Sequence, residues 1–175
     1  MEESGKLALF EQMIVPHMNS AYNLARWLTR NDADANDIVQ EAYLRAFRFF
    51  DAFKGADGRA WLLAIVRNTC SSWRRRETGG SLKVAFDERM HGADRQEPGV
   101  ESDLVQGARI RSLRDCIEAL PGDYREAIVL RELEEMSYRD IAEAAGVPIG
   151  TVMSRLSRAR IRLKDCVDHQ NGVSR

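Results

Sequence analysis

Apolar residues along this chain recur at helical spacing, and no alternating β-branched run bounded by turns interrupts them. A first pattern starts near Leu7 and carries Phe10 and Ile14 before Pro16 breaks it. A second runs through Ala21, Tyr22, Ala25 and Leu28. Asn31-Asp-Ala-Asp then supplies capping chemistry. Asp34 is the expected N-cap, with Asp37 three residues on, close to a capping box. The helix that follows buries Ile38, Ala42 and Ala46 and turns Asp37, Gln40, Glu41, Leu44, Arg45 and Arg48 outward. After a glycine-containing loop over residues 51–58, a helix from about Arg59 to Arg76 buries Leu62, Ile65, Val66, Thr69 and Trp73. Near the other end, Val152, Leu156, Ala159 and Leu163 form an i, i+4, i+7, i+11 stripe.

These patterns predict an all-α chain in three zones. Residues 1–76 form one small helical domain and residues 108–175 a second. Residues 77–107 form a flexible linker, rich in glycine and without sustained periodicity. Seven acids and three bases make that linker net negative by four. About 30 flexible residues reach roughly 30 Å, so the free chain is expected to hold its domains in no single arrangement. The alternative is a compact form in which Arg155 and Arg158 pack on the first domain, drawn by Asp37 and Glu41.

The C-terminal zone carries the sharpest chemistry. From Ser137 to Arg160 the chain reads as a helix-turn-helix: Ala142 allows close approach, Gly146 makes the turn and Val152 packs the second helix back on the first. From Gly150 to Lys164 there are five bases and no acid. Thr151, Ser154, Arg155, Arg158 and Arg162 are set apart from the apolar stripe, as a helix lying in a DNA major groove requires. In the first zone, Leu44 is an apolar residue ringed by charge, the pattern of a partner surface. The Arg74-Arg75-Arg76 triplet suits a helix C-terminus and, with Lys54, Arg59 and Arg67, also makes a phosphate-attracting edge. Trp61 and Phe53 fit a core better than a base-stacking platform.

Net charge is only −1, so any DNA contact must come from local patches. The acidic start is unlike a cleavable leader, and no stretch approaches the roughly 20 apolar residues of a membrane span. Cys70, Cys116 and Cys166 are odd in number and far apart. That points to a reducing cytoplasm rather than a disulfide scaffold, with Cys70 and Cys116 as core residues. His17, His91 and His169 are scattered, and Cys166 with His169 is too few ligands for structural zinc. No phosphate loop or nucleophile-base pair occurs. No metal, cofactor, small-molecule substrate or enzymatic activity is therefore expected.

Both ends resemble one family. Leu28-Thr-Arg-Asn-Asp-Ala-Asp-Ala-Asn-Asp-Ile-Val-Gln-Glu-Ala-Tyr-Leu-Arg-Ala-Phe and Ala60-Trp-Leu-Leu-Ala-Ile-Val-Arg-Asn resemble region 2 of bacterial sigma factors. Leu120-Pro-Gly-Asp-Tyr-Arg-Glu-Ala-Ile-Val-Leu-Arg-Glu-Leu and the helix-turn-helix resemble region 4. Having only these two regions is the pattern of the extracytoplasmic-function (ECF) group; Asn36 departs from it where an acid is usual. The resemblance implies a transcription initiation subunit. Asp37, Gln40, Glu41, Leu44 and Arg45 would dock on the clamp helices of the RNA polymerase β′ subunit, with further contact to β. Lys54, Trp61, Arg67 and Asn68 would touch the −10 promoter element, and Thr151, Ser154, Arg155, Arg158 and Arg162 the −35 element. The linker would thread into the polymerase. An anti-sigma factor would hold the protein inactive, in the cytoplasm or at the membrane. Two rivals are a stand-alone helix-turn-helix regulator and a nuclease or recombinase. The first lacks a use for the Asp37 to Arg48 face, the second a catalytic constellation.

Overall fold

The computed structural model describes residues 3–78 and 104–172, all helix, turn or short connection. Eight helices carry the fold: α1 (Glu3–Met13), α2 (Met18–Thr29), α3 (Asp32–Phe49), α4 (Gly58–Glu77), α5 (Leu104–Glu118), α6 (Gly122–Ile128), α7 (Tyr138–Ala145) and α8 (Ile149–Gly172). Pro16 lies within a single 3₁₀ turn, Val15–His17, and so separates α1 from α2 where the sequence places a break. A π-helical segment, Val129–Leu133, extends α6. The linker expected over 77–107 falls largely outside the described residues. Its last four residues belong to α5, which starts at Leu104.

The N-terminal unit packs α2, α3 and α4 on one another, with α1 closing one end. Leu24, Ile38, Leu62, Leu63 and Val66 are fully buried there, each contributing roughly 1.5–3 kcal/mol of transfer free energy. Phe10 stands edge-on to Tyr43, Phe47 and Phe50 at 5.3–6.2 Å between ring centres. The N-cap of α3 is Asn31, whose side chain accepts from the Asp34 amide at 3.0 Å. The cap expected at Asp34 is thus three residues early: Asp34 sits inside the first turn, where the helix dipole favours its charge. Asp57 caps α4 in the same way through Ala60, and Gly58 follows it because the Met13 carbonyl would lie 2.6 Å from a Cβ there.

The C-terminal unit is a helix-turn-helix, α7 and α8, backed by α5 and α6. Ser137 caps α7 by accepting from the Asp140 amide at 3.0 Å. Gly146 ends α7 at φ 66°, with Val147 N–H donating back to the Ala142 carbonyl at 3.1 Å. Val152, Leu156 and Ala159 are buried as the stripe predicts, and Leu163 packs half-buried beside them. Cys116 and Cys166 are joined in a disulfide that ties α5 to α8. This corrects the reading of the cysteines as unpaired. A 50-residue separation hides the pair from any local pattern.

The two units share one apolar cluster that runs from Phe10 through Cys70 to Ile117, Leu130 and Ala159. α4 lies along α7, and α2 meets α6. The Arg30 and Arg125 guanidinium groups both donate to the Glu118 carbonyl, at 3.1 and 2.9 Å. Burial first, then the neighbouring Arg30 and Arg74 charges, lowers the Arg125 pKa to about 10. In this structure the two units are thus in contact. That contact differs from the compact form built on Asp37, Glu41, Arg155 and Arg158. The contact uses arginines of α4 and carboxylates of α6 and the α6–α7 connection.

Candidate nucleic-acid interface

On α3 the residues expected to meet a partner lie on the outer side of the helix or are partly covered. Leu44 is 73% exposed, and the adjacent Gln40 and Asp37 are exposed. Ile38, Ala42 and Ala46 fix the rotation of the helix by burying its opposite side. Glu41 is clasped by Arg45 at 2.5 Å and by Arg76 of α4 at 3.3 Å, so this rim is pre-arranged. Arg74 donates to the Leu28 carbonyl at the end of α2 at 2.9 Å. Two members of the arginine triplet thus already hold partners within the N-terminal unit.

The residues expected at the −10 element do not form one open face. Lys54 and Asn68 are exposed. Trp61 is half-buried in an aromatic group, 4.9 Å from Phe53 and 6.3 Å from Phe50, which stacks on Phe53 in turn. Core packing is what the sequence favours for it. Arg67 points toward the other unit. Its Nε donates to Glu126 at 2.5 Å, and its Nη1 donates to Asn68 at 3.2 Å.

On α8 the four arginines divide. Arg158 and Arg162 are exposed, with Arg162 lying 5.4 Å over the Tyr124 ring. Arg155 is partly covered and sits 3.5 Å from Asp123 at the start of α6. Thr151 and Ser154 are half-buried beside it. Arg160, outside the expected reading set, is paired with Glu132 at 2.7 Å on another face. An exposed helix with this charge can enter a major groove, and its base contacts would come from the edge carrying Thr151, Ser154, Arg155, Arg158 and Arg162.

The expected set omits Arg59, Glu126 and Glu134. Arg59 donates to the Glu134 carboxylate at 2.6 Å and to its backbone carbonyl, and Glu126 and Glu134 are both buried. Glu126 abuts the apolar run Ala127-Ile-Val-Leu, a weak signal, and Glu134 lies in the charged stretch after it, where nothing local marks it. Cys70 is a buried free thiol near Glu126, and burial raises its pKa to about 12, which disfavours the thiolate. Cys166 is occupied by its disulfide, and no metal-holding cluster occurs among the described residues. Nor is any helix among them long and apolar enough to cross a membrane.

Comparison with known proteins agrees with this layout. Residues 13–79 match the family model of Sigma-70 region 2, and residues 110–163 that of Sigma-70 region 4. The chain belongs to the ECF group of RNA polymerase sigma factors, for its similarity to curated members extends nearly end to end. It is 33% identical to the ECF RNA polymerase sigma-E factor of Haemophilus influenzae over 168 residues, covering 90% of this chain and 87% of the relative. It is 31% identical to the Escherichia coli K12 sigma-E factor, with 90% and 86% covered. Among solved structures it resembles the sigma factor RpoE of Bartonella quintana in complex with the anti-sigma factor NepR. The TM-score is 0.71 at 30% identity, over 91% of this chain and 96% of that one. It also resembles CnrH in complex with the cytosolic domain of CnrY, with TM-score 0.65 and 25% identity over 95% and 92%.

Proposed function

We propose that this sigma factor binds core RNA polymerase through the Asp37, Gln40, Glu41, Leu44 and Arg45 face of α3, reads the −35 element with α8 and engages the −10 element with the N-terminal part of α4. The observation that carries the reading is the joint presence of an unpartnered apolar residue in a charged rim on α3 and a basic helix-turn-helix at the other end. A stand-alone regulator needs only the second. Leu44 would seat in a pocket on the clamp helices and supply the apolar centre, with the charges setting orientation. Thr151, Ser154, Arg155, Arg158 and Arg162 would contact base edges and phosphates of the −35 element. Lys54, Trp61, Arg67 and Asn68 would contact the −10 strand as it opens. The protein performs no covalent chemistry in this role and works in the cytoplasm.

An anti-sigma partner is supported by the two solved neighbours, each described in complex with its own anti-sigma protein. Such a partner would also bring this chain to the membrane if it were itself anchored there. The test of the core reading is a pull-down with core polymerase. Leu44→Ala with Gln40→Ala is expected to weaken binding by more than tenfold while the circular dichroism spectrum stays unchanged. Unchanged core affinity in a folded double variant would refute the α3 assignment.

A further inference from the structure

Cys116 and Cys166 stand in unlike surroundings. Their Cα atoms are 5.9 Å apart, so the bond joins α5 to α8 without displacing either helix. Cys116 is buried, whereas Cys166 is half-buried near the outer end of α8, within reach of a small solute. The third cysteine does not compete with them. Cys70 is buried in the other unit, where loss of hydration holds its thiol pKa at about 12. Oxidation of one chain therefore has a single disulfide as its product. What that bond ties together has little other burial. Of α5 only Cys116 and Ile117 are buried, and no side chain of α8 beyond Ala159 is. A Ser112–Gln170 hydrogen bond is a second tie at this end. Arg162, which belongs to the expected −35 set and lies over the Tyr124 ring, is about one helical turn before Cys166.

We propose that Cys166 is a site of oxidation by peroxides and Cys116 its resolving residue, so that a reversible disulfide sets how firmly α8 is presented to the −35 element. A hydroperoxide gives one oxygen atom to Cys166 Sγ: its O–O bond breaks, the thiol becomes a sulfenic acid, and water or an alcohol leaves. Cys116 Sγ then attacks the sulfenic sulfur. The S–S bond forms, the S–O bond breaks, and the hydroxide leaves with the Cys116 proton as water. The two thiols together lose two electrons, and the peroxide gains them. A dithiol reverses the step by exchange and becomes a disulfide itself. In a cytoplasm kept reducing, the reduced chain is the resting form. There α5 and the last turns of α8 are released from each other. A unit of so few helices has little stability to lose, and DNA that binds only its ordered form sees an affinity lowered by the ordered fraction. Oxidation restores that fraction, so peroxide raises promoter reading. This proposal rests on the assignment of α8 to the −35 element and on a cytoplasmic setting.

The test uses the full-length chain, reduced with dithiothreitol, freed of it and then treated with hydrogen peroxide. The Cys116 and Cys166 thiols should disappear, a peptide linked through them should appear in the digest, and dithiothreitol should reverse both changes. In Cys116→Ser, a cyclic dione that traps sulfenic acids should label Cys166 and leave Cys70 unlabelled. Amide exchange should slow across α5 and residues 164–172 when the parent chain is oxidised. The oxidised chain should bind a fluorescein-labelled duplex, selected from a randomised −35 library, about 3- to 10-fold more tightly than the reduced chain. A parent chain that peroxide leaves with all its thiols, or oxidises first at Cys70, would overturn the modification site. A cross-linked chain with unchanged exchange would overturn the switch. Arg158→Ala tests the premise separately in the oxidised chain. If it weakens duplex binding while oxidation of the parent does not strengthen it, control of DNA reading is overturned. If it binds as the parent does, the −35 assignment has failed, and amide exchange alone then decides for or against the switch.

Discussion

Reducing the Cys116–Cys166 bond should loosen the C-terminal unit far more than the N-terminal one. The bond closes a loop of 50 residues that contains α6, α7 and most of α8. In the chain-entropy account, a loop of that length removes about 14 cal/mol/K from the unfolded ensemble, or about 4 kcal/mol at 25 °C. The native side has little to compensate for its loss. Among the residues of α5 only Cys116 and Ile117 are buried, while Leu104, Val105 and Ile110 are largely exposed. This bond and a Ser112–Gln170 hydrogen bond tie the far end of α8 to α5. A unit of this size shifts its midpoint by roughly 4–8 °C per kcal/mol, so a fall on the order of 20 °C is expected. The assay is thermal unfolding of the full chain with and without reductant, and of Cys116→Ser with Cys166→Ser. All three tryptophans lie on α2 and α4, so their fluorescence reports the N-terminal unit, while far-UV circular dichroism reports both. The dichroic transition should split or move down, with a smaller change in fluorescence. Thiol titration should find one group before reduction, after unfolding, and three after it. Equal midpoints in chains that titrate as one and as three thiols would refute the reasoning.

Gly146→Ala should destabilise the helix-turn-helix by about 1–2 kcal/mol, seen as a lower urea midpoint: the site is open to a Cβ, but its φ of 66° is left-handed. Leu156→Ala, at a fully buried position of the α8 stripe, should cost about 2–5 kcal/mol in the same measurement. The Cys70 thiol, raised from 9.0 to about 12 by burial, stabilises the fold below pH 9 and loses that contribution between pH 9 and about 12, because the unfolded thiol ionises first. A Cys70→Ala variant should therefore show a shallower fall in stability across that window in alkaline urea titrations. Asp123→Asn should strengthen binding to a duplex selected from a randomised −35 library by no more than about fivefold at low salt, an exposed pair being worth at most about 1 kcal/mol. The gain should vanish in an Arg155→Ala background; persistence there would show that Asp123 does not act through Arg155.

What the sequence made legible is what short-range periodicity encodes. The α8 stripe, the Gly146 turn, the Pro16 break and the inward side of α3 all depend on residues within a few turns of each other, and all lie where the pattern puts them. The cap of α3 shows the limit of that kind of reading. Asn31 and Asp34 are both capping residues three apart, and either could begin a helix by type alone. Only the direction of the Asn31 side chain toward the Asp34 amide decides it.

The features that escaped are tertiary, and they share a cause. Glu126 and Glu134 look like ordinary solvated acids at the edges of an apolar run, and Arg59 and Arg67 like ordinary cations on a surface helix. Each becomes intelligible only when the other unit is brought against it. The same holds for Cys116 and Cys166, each apolar or frayed in its own helix and bonded across two. The inner face of a domain tolerates a carboxylate only where a cation arrives to meet it, so buried acids at positions 126 and 134 imply a second surface before that surface is seen. Exposed Leu44 is the opposite case, an apolar residue left in water on a helix whose other side is buried. The buried acids mark a surface that closes on the protein itself; under the proposed function, the exposed leucine marks one left open to the polymerase.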